Sequence, residues 1–168
     1  MKYVFVNGRV AIIVRYWEQR TDRVVDDGTV DGGARVEVRR VEELTGPGHR
    51  AGNAGFSVLP VSDGLWRADL FMILTEPGVP GFHYHPRFEH NDVGDRFDDE
   101  LLRTDPVGWI SEQLADLAGL VRDCGAGDLV PSLDLAEHRR AMPLVIAAVE
   151  SCMARLPVAL SAGREPRL

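Results

Sequence analysis

Three of the chain's five histidines, His83, His85 and His90, fall in one short stretch with Glu89, where the residues best suited to chemistry gather. An imidazole nitrogen binds a divalent metal at about 2 Å, or takes up a proton near neutral pH. On a strand, His83 and His85 project from one face, roughly 6.5–7 Å apart along it, and Phe82 and Tyr84 from the other. Glu89, His90, Asp92, Asp95, Asp98 and Asp99 follow within reach. His83, His85, Glu89 and His90 are therefore the candidate metal ligands. Two histidines and a carboxylate suit zinc, or an open non-haem iron site. Arg87 and Arg96 bracket the stretch and are the candidate ligand-binding residues, since a guanidinium can grip a substrate carboxylate through two parallel hydrogen bonds. Without a metal, the same histidines could move protons while a carboxylate orients them. A plainer role is also open: a water-facing His-x-His on an edge strand, an acidic hydrated loop, and arginines that neutralise it.

The elements that must position these residues change character along the chain. Lys2–Val6 and Arg9–Trp17 are rich in β-formers and flank Asn7-Gly8, which predicts a hairpin with a type I′ turn. After a glycine-rich connection, Ala34–Val41 alternates. Val36 and Val38 lie on one face against Arg35, Glu37 and Arg39, so the reading is a strand with one wet side. The glycine-rich segment 46–55 reads as a loop in which His49 could act as a lid. Further strands are expected at Phe56–Leu59, Leu65–Thr75 and Phe82–His85. In the second of these Trp66, Ala68, Leu70, Met72 and Leu74 share a face, with Asp69 opposite them and an arginine as its expected partner.

Helical spacing takes over at Asp105, a cap followed by Pro106 at the first helical position. Val107, Ile110, Leu114, Leu117 and Val121 form one apolar stripe, and Gly125 is a stop signal. Asp134 and Glu137 make a capping box for a second helix reaching about Leu156, with Pro143 inside it. The expectation is one α+β domain over 1–160: an antiparallel sheet of about five to seven strands, then two C-terminal helices packed on one face. A flexible tail is expected from 161 to 168. Trp17, Trp66 and Trp109 read as core residues before they read as a pocket.

Composition removes several classes. The formal net charge is −7 with a pI near 5.2, which disfavours nucleic acid as a partner. No run approaches the roughly 18 apolar residues of a membrane span, and the N-terminal segment lacks the features of a secretory signal. A cytoplasmic location follows as the expectation. Cys124 and Cys152 fall on separate helical segments, so free thiols are expected in place of a disulfide. There is no Gly-x-Ser-x-Gly elbow and no phosphate-binding loop, and Lys2 is the only lysine.

The string Gly81-Phe82-His83-Tyr84-His85-Pro86-Arg87-Phe88-Glu89 partly resembles the first metal motif of the cupins, where His-x-His precedes a glutamate. The glycine positions differ, and helical periodicity stands where a barrel needs more strands, so only the local metal-binding logic carries over. A wider likeness covers about the middle third. Trp66-Arg67-Ala68-Asp69-Leu70, His83-Tyr84-His85-Pro86 with Phe88, Arg96-Phe97-Asp98 and Asp105-Pro106 with Trp109 resemble an uncharacterised family of small proteins from high-GC bacteria. That resemblance implies one structural unit and no activity.

Two functions remain as expectations. One is a small enzyme, metal-dependent or acid–base, acting on a small molecule through the His-x-His and carboxylate cluster, with zinc or iron as the cofactor. The other is a non-enzymatic protein that binds a partner, or a second copy of itself, through sheet edges and loops.

Overall fold

The computed structural model describes residues 1–19, 31–42, 60–73, 81–89 and 91–155. The expected hairpin opens the chain: β1 (Lys2–Asn7) and β2 (Val10–Gln19) pair antiparallel, with Asn7 opposite Val10. The two turn residues are therefore Gly8 and Arg9, and Gly8 alone has a positive φ, 56°. That corrects the expected type I′ turn to the II′ pattern, which needs glycine first. Asn7 is occupied elsewhere. Its side chain donates to the Asp134 carbonyl at 2.8 Å and accepts from the Asp134 N–H at 2.9 Å.

β3 (Asp31–Val41), β4 (Val61–Ile73) and β5 (His83–His85) complete an antiparallel meander whose five strands lie side by side in chain order. The expected strand at 56–59, the loop at 46–55 and the tail from 161 fall outside the described residues.

The helical half follows in more pieces than the two expected. α1 (Glu100–Thr104) is capped by Asp99, α2 (Pro106–Ala115) by Asp105, α3 (Leu117–Asp123) by Asp116 and α4 (Leu135–Met153) by Asp134. A 3-10 helix, Gly127–Ser132, joins the last two. The stripe whose spacing predicts one helix is interrupted at Asp116, whose side chain accepts from the Gly119 N–H at 2.9 Å. A short polar side chain that bonds its own backbone competes with the helical ladder. Gly125 ends α3 with φ 78°, in keeping with its place as a stop signal, and α4 continues through Pro143.

These helices cover one face of the sheet. α4 lies against β1, β2 and β3, while Trp109 of α2 stacks on Trp66 of β4 at 5.9 Å and meets the tilted ring of Tyr84 of β5 at 5.0 Å. Beneath them Val10, Ile12, Val14, Val36, Val38, Ala68 and Leu70 are buried in one cluster. Each large side chain of this kind contributes roughly 1.5–3 kcal/mol by leaving water. Both cysteines are free and buried, and burial pushes the Cys124 thiol up to about 12.

The other face departs from expectation. The alternation of β3 predicts a wet side, yet Arg35 and Glu37 are only 8% and 4% exposed. Ala11, Ile13 and Val41 form a small apolar cluster of their own there. No helix among the described residues is long and apolar enough to cross a membrane.

Candidate functional site

Directly opposed residues in an antiparallel sheet share a face, so the register lines up polar side chains across strands. One row runs Arg15, Arg35, Asp69, His83 from β2 to β5, and the next runs Ile13, Glu37, Arg67, His85. The first meets at Asp69, which is wholly buried. Its Oδ1 accepts from Arg35 Nε at 2.6 Å, and its Oδ2 accepts from Arg67 Nε at 2.7 Å. His83 Nε2 stands 3.3 Å from the same Oδ2, and His85 Nε2 stands 3.8 Å from it. One ligand atom from each of Asp69, His83 and His85 lies within 4.8 Å of the other two.

The histidine orientations are set from behind. His83 Nδ1 is 2.8 Å from the Gly81 carbonyl, and His85 Nδ1 is 3.1 Å from the Asp95 carbonyl. A carbonyl can only accept, so each Nδ1 must carry the proton that it donates. A neutral ring then has a bare lone pair on Nε2, and both Nε2 atoms face one carboxylate. Backbone carbonyls fix metal-bound histidines in this manner. Ligands of a tetrahedral zinc stand roughly 3.3 Å apart, so the His83–Asp69 spacing already fits, while His85 would have to move in from a group whose ligand atoms spread over as much as 4.8 Å.

Charge at the site favours an ionised aspartate. Burial alone would raise the Asp69 carboxyl, but a hydrogen bond from His83 when its Nε2 is protonated, together with Arg35 and Arg67, holds it at about 2. Burial, then the Arg67 and His83 charges, depress His85 and favour its neutral ring. Beside this group, Trp17 and Phe71 are both cross-strand neighbours of Gly33. With no side chain between them, their rings reach over β3 and stack at 4.8 Å. The Arg35 guanidinium lies 4.2 Å from the Trp17 ring and 5.1 Å from that of Phe71.

Of the residues expected to act, His83 and His85 come together as their spacing requires. Glu89 does not join them. It is exposed and pairs with the exposed Arg87 at 3.0 Å, because Pro86 ends the strand and Glu89 enters a small turn with Asp92. His90 and His49 lie outside the described residues, and Arg96 is exposed. The acidic run has local duties: Asp92 accepts from the Val93 N–H, Asp98 pairs with Arg103, and Asp99 caps α1. Asp95 serves the site through its carbonyl.

The carboxylate in the cluster is Asp69, and it pairs with both Arg67 and an arginine across the sheet. Its meeting with the histidines depends on the β4–β5 register. A signal was available in the charged Arg67-x-Asp69 pair set inside a largely apolar strand, at the same spacing as His83-x-His85. His138, the one later histidine, is buried and its Nε2 donates to the Leu114 carbonyl at 2.7 Å, tying α4 to α2.

Comparison of the chain with family models, curated proteins and solved structures found no match.

Proposed function

We propose that this chain is a small metal-dependent enzyme acting on a small molecule, with His83, His85 and Asp69 as ligands of zinc or iron. One observation carries the reading: both imidazoles are pinned through Nδ1 to carbonyls, and both Nε2 atoms converge on one carboxylate oxygen. A ligand set of two histidines and one carboxylate leaves coordination positions for water or substrate. An ion held there would polarise a substrate oxygen or make bound water acidic.

A specific contact favours a second reading. The Arg67 terminal amino group is 2.6 Å from Asp69 Oδ2 and 3.4 Å from His85 Nε2, so a guanidinium already meets both groups. Without a metal, His83 beside Asp69 is then the proton-transfer group of an acid–base site.

Elemental analysis of untagged, chelator-free protein separates the two. The metal reading expects near-stoichiometric zinc or iron, lost in His83→Ala/His85→Ala and in Asp69→Asn, and retained in Glu89→Gln. Absence of metal from the wild type, even after anaerobic reloading, would leave the acid–base reading standing alone.

A further inference from the structure

Among the described residues, the polar face holds more positive charge than its carboxylates match. Lys2 of β1 is opposite Arg15, and Arg15 is opposite Arg35, so three cations lie side by side on neighbouring strands before the row reaches Asp69 and His83. Like charges directly opposed across strands destabilise a sheet. Partial relief comes from Glu37, 3.5 Å from an Arg15 terminal nitrogen, but Glu37 is shared with Arg39 at 3.4 Å. Asp69 is likewise shared between Arg35 and Arg67. Among the described residues, then, four guanidinium groups on this face meet two carboxylates. This occurs in a chain whose overall charge is −7.

Arg15 Nε is buried and has no hydrogen-bond partner among the described residues. Arg35 spends its Nε on Asp69, and its terminal amino groups have no hydrogen-bond partner among the described residues. Its guanidinium is clamped against Trp17 and Phe71, and its side chain is only 10% exposed. Leaving a buried donor such as Arg15 Nε unpaired costs about 1–3 kcal/mol.

We propose that Arg15 and Arg35, with Lys2 at the outer end of the row, form an oxyanion slot that takes a carboxylate or phosphate group of the substrate. The slot lies in the same cross-strand row as Asp69 and His83, so a molecule anchored by its anionic end extends over the two histidines. The inference names the substrate class of the centre proposed above and rests on that cluster being where reaction occurs. An oxyanion held at these guanidinium groups makes short charge-assisted bonds and offsets the like charge that the register sets side by side. The slot also gives a reason for the Trp17–Phe71 clamp, which fixes a guanidinium that would otherwise swing to solvent.

Calorimetric titration of the full chain with inorganic phosphate and with malonate, each in the metal-free and the metal-loaded state, tests this. Binding of one anion per chain is expected, with whichever binds tighter identifying the head group. Arg15→Gln should weaken it at least tenfold without changing metal content, since no contact joins Arg15 to the Asp69–His83–His85 cluster among the described residues. Arg35→Gln should abolish it. Because that change also strips Asp69 of a partner, Arg15→Gln is the deciding variant. No binding of either anion in either state, or wild-type binding by Arg15→Gln, overturns the slot. Metal without anion binding removes the slot and keeps the metal centre. Anion binding without metal does the reverse.

Discussion

On the helix side of the sheet, Val36, Val38, Trp66, Ala68 and Leu70 are buried among apolar side chains. One residue along on the same strands, Arg35, Glu37 and Asp69 are nearly as inaccessible, and each is buried against opposite charge. The two faces share backbone, register and depth, and differ in what fills them. Apolar burial is favourable whenever it happens. Charge burial carries a desolvation cost that Coulomb attraction offsets only when every partner is present, and apolar replacement of such pairs is often neutral or stabilising. A sheet that needed only stability would make both faces alike. The charged face is therefore where a function other than folding is to be sought.

Four substitutions or conditions can break that contrast, beginning with the largest effect. Trp66→Ala, on the helix side, removes a buried ring stacked on Trp109 and should cost about 3–5 kcal/mol in urea unfolding. Its metal content per folded molecule should stay at the wild-type value. On the charged side, Asp69→Asn leaves Arg35 and Arg67 without their shared anion and should cost about 3 kcal/mol. Unlike Trp66→Ala, it should also abolish metal binding. If both variants lost metal equally per folded molecule, the division of labour between the faces would be wrong.

Acid should find the charged face first. His85 is held below its ordinary value, so its contribution is complete above the unfolded value of about 6.5 and declines as pH falls below it. Asp69, held at about 2, contributes stability that is present above the unfolded carboxylate value of about 3.9 and is lost as pH falls toward about 2. The Asp69 part is on the order of 2 kcal/mol. Urea midpoints of metal-free protein measured from pH 8 to pH 2 should fall in that order, and Asp69→Asn should lack the lower limb. The smallest effect belongs to the surface. Glu89→Gln breaks an exposed pair with Arg87 and should change stability by under about 1 kcal/mol, with no change in metal content.

Much of this was legible in the residues. Asn7-Gly8 marked the hairpin, the aspartates Asp105 and Asp134 marked helix starts, and the two-residue spacing put His83 and His85 on a common face. Three things were not. The alternation of Ala34–Val41 reads the same whether its charged side meets water or a buried network, because period alone does not report what lies opposite. Asp69 joins the histidines only through the β4–β5 register, and register is a property of two strands together. The break at Asp116 hid because Leu114, Leu117 and Val121 keep helical spacing across it, while the local Asp116–Gly119 bond decides the backbone.

The most direct test of the central claim is long-range proton–nitrogen NMR of the imidazoles, recorded on metal-free protein and again after one equivalent of zinc. His83 and His85 should both carry hydrogen on Nδ1, and zinc should shift both Nε2 resonances in the wild type and neither in Asp69→Asn. Hydrogen on Nε2 of the neutral rings, or Nε2 resonances that zinc leaves in place, would contradict that claim and reduce the cluster to a buried ion-pair network.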